Sequence, residues 1–330
     1  MSDLTALVPG PLSLAGHRLG TPQRAGALTM VPISGPAHPG IVAPRSGLKL
    51  ARVPGYGQVE LRNGADTGVA IVPLHIGYVQ DAAQNHALCR SALLAAGQSL
   101  LFEDAACVQE SQGGLLAGRD QWFFVLPLEL RARALELRGV NGYSKLWTDI
   151  ADLNTRYGLA RRGHLEQILS RKRPVLTQFQ SRLELQPGQL GALFFVGDRF
   201  AGLEIAPDPV YFAQMWTALV CFAYGVAAWQ AEPAPADPEP YEATSLAGLR
   251  AALDADRATR LAEIADRLAA LPTGPVEVRE EDRYLDLRLS TVTGPHLAGQ
   301  IVTEGERAVY ASLFAPATAT GTATGGTATA

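Results

Sequence analysis

The run Gln84-Asn85-His86 sets three polar side chains in an otherwise apolar part of the chain. The amides of Gln84 and Asn85 each offer two donors and an acceptor carbonyl, and neither titrates. They can orient a hydroxyl, a ribose or an amide, but cannot act as general acid or base. The plainer alternative is a turn in which Asn85 tolerates a left-handed conformation and Gln84 satisfies backbone groups. His75 and His86 lie nearest this knot, with Asp81 between them. A His/Asp/His trio has the chemistry of a metal site, but a strand histidine beside a turn histidine is more often just hydrogen-bonded, and no metal site is assigned. Glu103, Asp104 and Glu110 are the carboxylates close by, and the acid/base candidates of the region. No GxxxxGK[ST], GxGxxG after a strand, HExxH or GxSxG occurs, so the phosphate-loop, dinucleotide, zincin and hydrolase-elbow signatures are absent and no cofactor is assigned.

These residues need elements to hold them. Gly68 to Gln80 is rich in β-branched and aromatic residues and reads as one strand. Val72, Leu74, Ile76 and Tyr78 fall on one face, Ile71, Pro73, His75 and Gly77 on the other. Asp81 to His86 breaks the pattern. Two more apolar runs follow, His86 to Leu94 and Leu100 to Gln109, with Ala96-Gly97-Gln98 as the turn. If the runs pair, Gln84 and Asn85 stand where one strand hands over to the next, a placement that suits a site.

The chain has 330 residues, 47% of them hydrophobic, enough for a sizeable core, and a net charge of -4, which argues against a nucleic-acid partner. Cys89, Cys107 and Cys221 lie far apart and form no disulfide or zinc pattern. With no basic start and apolar stretch at the N-terminus, a cytoplasmic location is expected.

Residues 1–25 read as a loose arm. Ala27 to Ile33, Leu48 to Val53, Gln58 to Arg62 and Trp122 to Leu126 read as strands, Tyr143 to Gly158 and His164 to Arg173 as helices, the second stopped by Pro174. Arg156, Arg161, Arg162, Arg171, Lys172 and Arg173 make this the most basic part of the chain. Such a cluster either grips phosphate or forms a solvated helical face. Gly188 to Ile205 reads as a hairpin turning at Gly197-Asp198. Val210 to Trp229 reads as an apolar helix capped by Asp208. Its length would span a bilayer, but acids and no Lys or Arg flank it, so a buried core helix is expected and no membrane partner. A Pro-rich linker at 230–243, a long helix from Ser245 to Leu271, further strands and an Ala/Thr/Gly tail at 315–330 complete the chain. The fold class expected is α+β: mixed or antiparallel sheets with a buried apolar helix and several amphipathic helices. Residues 26–314 are expected to form one domain.

Several segments, in order, resemble the ARPP-type domain, a family named for its association with ADP-ribosylglycohydrolases and rhodanese-phosphatase proteins. They are the strand Leu28 to Ile33, the Asn-terminated strand Val59 to Asn63, the strand from Val69 into Ala83-Gln84-Asn85-His86, and Cys107-Val108-Gln109 followed by Glu110 to Gly114. Leu146-Trp147, Gly191 to Ile205 with Phe212 and Trp216, and Tyr310 to Phe314 continue the series. Ala83 and His86 stand where the family has Lys and Arg, and Gly113-Gly114 is what remains of its Gly-Arg-Trp element. The resemblance implies a role linked to NAD or ADP-ribose metabolism. A nucleotide-type ligand would be held by Gln84, Asn85, His86 and His75, with Glu110 as acid/base and His86 as the cation left in the pocket. The alternative it leaves open is a non-catalytic binding or scaffolding module.

Overall fold

The structure, a computed structural model, describes residues 13–79, 84–110, 122–231, 241–271 and 274–316. Asp81, Ala83, Gly113-Gly114, most of the Pro-rich linker, the first twelve residues and nearly all of the tail lie outside that set. The fold is α+β. Its main element is a nine-stranded antiparallel sheet in the order Arg18–Leu19, Leu28–Ser34, Gln189–Val196, Arg199–Ile205, Arg307–Phe314, Ala298–Glu304, Leu287–Thr293 and Glu277–Tyr284, with Gln23–Ala25 also paired to Leu28–Ser34. Ordered pairing therefore begins inside the stretch that reads as an arm.

The sheet is covered on both faces, so its central strands are apolar without alternation. Ala192, Phe194 and Val196 pack with Met30, Phe212, Met215 and Tyr224 on one side. Leu190, Leu193 and Phe195 pack with Leu203 and Ile264 on the other. The first cover is the apolar stretch Pro209–Gln230, the one helix among the described residues long and apolar enough to cross a membrane, and it is mostly buried inside the protein. Asp208 caps it by accepting from the Tyr211 N–H at 2.8 Å. Its middle, Ala218–Tyr224, is wound as a π-helix. The second cover is Leu246–Ala269, capped by Ser245.

Residues 41–125 form three smaller sheets. Leu93–Ala95, Val69–Ile71 and Ile41–Val42 make one; Ser99–Phe102, Gln58–Asn63 and Leu48–Gly55 another; Ala106–Cys107, His86–Ala87, Ile76–Val79 and Trp122–Val125 the third. The stretch expected as one strand from Gly68 is thus two strands in two sheets. Pro73 has no N–H to give a ladder, and His75 turns the chain with φ 62°. The freed Leu74 N–H donates to the Tyr310 hydroxyl at 2.8 Å. Pro174 follows the end of one helix, Glu166–Arg171, as expected. It sits in the first turn of the next one, Arg173–Arg182, where its missing N–H has no partner to lose.

Helix Leu128–Glu136 has no counterpart in the sequence reading. On it, half-buried Glu129 faces the Tyr157 hydroxyl at 3.1 Å, and that hydroxyl also meets the Val226 carbonyl. One hydroxyl proton serves one acceptor. The arrangement closes when Glu129 holds a proton and donates it to the Tyr157 oxygen. Burial raises the Glu129 pKa above 4.5, against the helix backbone, Tyr157 and Arg156, and its Oε2 is shut from solvent without a partner. A folded-state pKa above the unfolded one gives stability that is full below the ordinary value and is lost as pH rises through the raised one. Glu129→Gln, which needs no proton, should therefore stabilise the protein by about 1 kcal/mol at pH 7 and give no gain at pH 4. Thermal melts at both pH values check this, and a variant less stable than the parent at pH 7 would refute it.

Candidate functional site

The knot is assembled from strand ends. The Asn85 N–H donates to Gln109 Oε1 at 3.1 Å, and the Asn85 carbonyl accepts from the Val108 N–H at 2.9 Å. Cys107 Sγ lies 3.5 Å from Gln84 Oε1. His86 begins its strand opposite Cys107 on one side and Tyr78 on the other. Its Nε2 accepts from the Gly57 N–H at 3.1 Å, so Nδ1 carries the proton and donates to the Gln84 carbonyl at 2.8 Å. Burial lowers its pKa, with that carbonyl pulling the other way. His86 is thus a neutral ring with both nitrogens spent on backbone, where the sequence reading expects the remaining cation.

Glu110 joins the same region. Its N–H donates to the Gly163 carbonyl at 3.0 Å, and its Oε2 accepts from the Gly163 N–H at 2.7 Å. Next to it, Gln109 bridges to His164, whose Nε2 lies 3.2 Å from Glu166 Oε2. The structure joins Gln84, Asn85 and His86 to the Cys107–Gln109 strand end, and Glu110, next in the chain, to Gly163. It does so as a hydrogen-bonded joint in which Glu110 latches the 158–164 loop, and Asn154 holds that loop from below through the Arg162 and His164 carbonyls.

His75 belongs to a second centre. Arg131, fully buried, donates from Nη1 to Glu204 Oε1 at 2.7 Å and to the Tyr224 hydroxyl at 3.2 Å, and from Nη2 to Ser312 Oγ at 2.6 Å. The Tyr224 hydroxyl donates to the same Glu204 oxygen at 2.6 Å. The guanidinium also lies 4.5 Å from the Phe314 ring centroid. Arg131 Nε points at His75 Nδ1, 3.4 Å away. Burial opposes the Arg131 charge, but Glu204 with Tyr224 outweighs it and its pKa is raised. Burial and then Arg131 hold His75 neutral, well below its ordinary pKa, and the Cys89 carbonyl offsets this only in part. A closed centre of this kind ties helix Leu128–Glu136 to the main sheet and has no room for substrate.

A third arrangement is open. A cleft of about 550 Å³ lies between the π-helical segment, strand Leu48–Gly55 and the ends of Ile76–Val79 and Trp122–Val125. Its charged lining among the described residues is Arg45, Lys49 and Arg173, all positive; Tyr78, Trp122 and Phe123 supply rings, and Gln214 and Thr217 polar groups. None of the three cations has a carboxylate partner among the described residues. The indole of Trp122 is backed by Phe222, 5.3 Å between centroids, and the Arg173 guanidinium lies 5.2 Å from its centroid. Such a volume fits a small ligand, for which roughly 300–1,000 Å³ is usual. The groups present fit one that is both anionic and aromatic.

The sequence pointed to this cleft only through its basic cluster, which the fold disperses. Arg161 pairs with Asp152 at 2.7 Å on the surface, Lys172 lies over Trp229 at 4.9 Å, and Arg173 alone reaches the cleft. Arg45 and Lys49 lie 128 and 124 residues before Arg173, Lys49 in the run Leu48 to Val53 that reads as a strand. No group of three His, Cys, Asp or Glu side chains that could hold a metal occurs among the described residues.

No curated protein and no solved structure matches the chain. Residues 16–314, most of its length, match the family described as ARPP-1, the ARG and Rhodanese-Phosphatase-superfamily-associated Protein domain. The order of strands, knot, hairpin and core helix read from the sequence is the order seen in the fold, and the chain belongs to the ARPP-1 family.

Proposed function

We propose that this protein binds an ADP-ribose-type nucleotide in the cleft, without hydrolysing it. The observation that carries the reading is a cleft in which three cations, with no carboxylate partner among the described residues, stand beside an indole in a protein of net charge -4. Phosphate oxygens would lie against Arg45 and Lys49, the base on Trp122, and ribose hydroxyls near Gln214 and Thr217. No carboxylate lines the cleft among the described residues. The knot acts one step away. Tyr78 pairs with His86, and Val79 with Trp122, so the Asn85–Gln109 and His86–Gly57 bonds hold the sheet that presents both rings.

Calorimetry with ADP-ribose and NAD tests this. Lys49 is exposed, so Lys49→Ala should leave folding intact. It should weaken binding about 10- to 100-fold, the scale of a hydrogen bond to a charged group, and flatten its salt dependence. Absence of binding by the parent protein at millimolar ligand would remove the reading. The scaffolding alternative would then stand, favoured by the commitment of both His86 nitrogens to backbone.

A further inference from the structure

Resting on the nucleotide reading of the cleft, we propose that Arg173 makes it selective for ligands that carry an aromatic ring and a phosphate on one molecule. In the free protein the place a base would take on Trp122 is already filled. The Arg173 guanidinium lies 5.2 Å from the indole centroid, while Phe222 backs the ring. A base stacked on that indole needs a separation of roughly 3.5 Å, the contact distance of carbon atoms. It cannot slide between ring and guanidinium at their present spacing. Arg173 therefore has to leave.

Leaving carries a cost. The Arg173 guanidinium has no hydrogen bond or ion pair among the described residues, so its contact with Trp122 is what holds the charge in place. An arriving ring gains the indole but strands the guanidinium. A phosphate alone can attract Arg173 but leaves Trp122 uncovered. A nucleotide compensates both losses: its base replaces the guanidinium on Trp122, and its phosphate receives the displaced guanidinium in a charge-assisted, bidentate bond. Arg173 is then a competitor towards rings and a ligand towards phosphate. The exchange makes the two halves of the ligand cooperative, because each half prepares the place of the other.

The competition predicts effects of opposite sign from one substitution. Adenosine, inorganic pyrophosphate and ADP would be titrated into the parent protein, Arg173→Ala and Arg173→Gln, with thermal melts to establish that each is folded. Two variants are used because Arg173 opens helix Arg173–Arg182, and glutamine retains more of the side chain. Expected is a loss of about tenfold in ADP affinity in both variants, with adenosine bound about threefold more tightly once its competitor is gone. Adenosine affinity that is unchanged, lower or unmeasurable throughout, while ADP still binds the parent, would overturn the exchange and leave the nucleotide reading standing. Failure of ADP to bind the parent protein would overturn both.

Discussion

Arg131→Met should cost about 3–5 kcal/mol of stability, the scale for breaking a buried ion pair by removing one partner. Against a typical domain stability of roughly 5–15 kcal/mol, that is enough to leave much of the protein unfolded at moderate temperature. Methionine fills most of the space, so the loss is electrostatic. Glu204 would keep its Tyr224 bond and lose its counter-ion in a site where it is almost fully buried. Ser312 would lose its donor, and the Phe314 ring its cation. Arg131→Met with Glu204→Gln should recover part of the loss at pH 7, because no bare charge remains. Urea melts of the parent, both single variants and the double variant give the coupling directly. Additive single losses would mean that the two residues do not act as a pair.

Gly299→Ala should cost about 3 kcal/mol or more. Gly299 holds φ 149° in strand Ala298–Glu304, a conformation side chains rarely adopt. A Cβ there would lie 2.1 Å from the Ser312 carbonyl oxygen and 2.9 Å from the Leu313 Cα. Both obstacles are backbone of the neighbouring strand, so no rotamer change relieves them. Ser312 is also the residue that accepts from Arg131, and a shift of that strand would reach the buried centre. Hydrogen exchange at Ser312 and Leu313, read beside the melts, should show protection lost there first. An alanine variant within 0.5 kcal/mol of the parent, on the scale of ordinary surface substitutions, would show that the strands part without cost.

Much of the main sheet was legible because its signals are local. Asp208-Pro209 announces the core helix, Gly197-Asp198 the hairpin, and the leucine stripe from Leu246 the outer helix. The knot was legible as a place: Gln84, Asn85 and His86 join the Cys107–Gln109 strand end, and Glu110 beside it bonds Gly163. Their roles were not, because partners such as Gly57 and Gly163 contribute only backbone, which carries no mark in sequence. The break at His75 was hidden within an apolar run whose period suits a strand throughout. Arg131 was hidden differently. One arginine on a short amphipathic helix reads as surface, and only the fold sets Glu204, Tyr224 and Ser312 around it. Likewise the cleft takes Arg45, Lys49, Trp122 and Arg173 from separate elements, at spacings that form no motif.

The buried centre also sets an order in time. Its residues leave the ribosome as His75, Arg131, Glu204, Tyr224 and finally Ser312. Arg131 and Glu204 can meet early, but the strand that encloses them, Arg307–Phe314, is the last in the sheet to be made. Until it arrives, the pair must stay hydrated, and strand Arg199–Ile205 keeps an open edge. Long-range closure of this kind slows folding and exposes that edge to other unfinished chains. Newly made chains of this protein should therefore lean on chaperones up to the moment the final hairpin docks, and little thereafter.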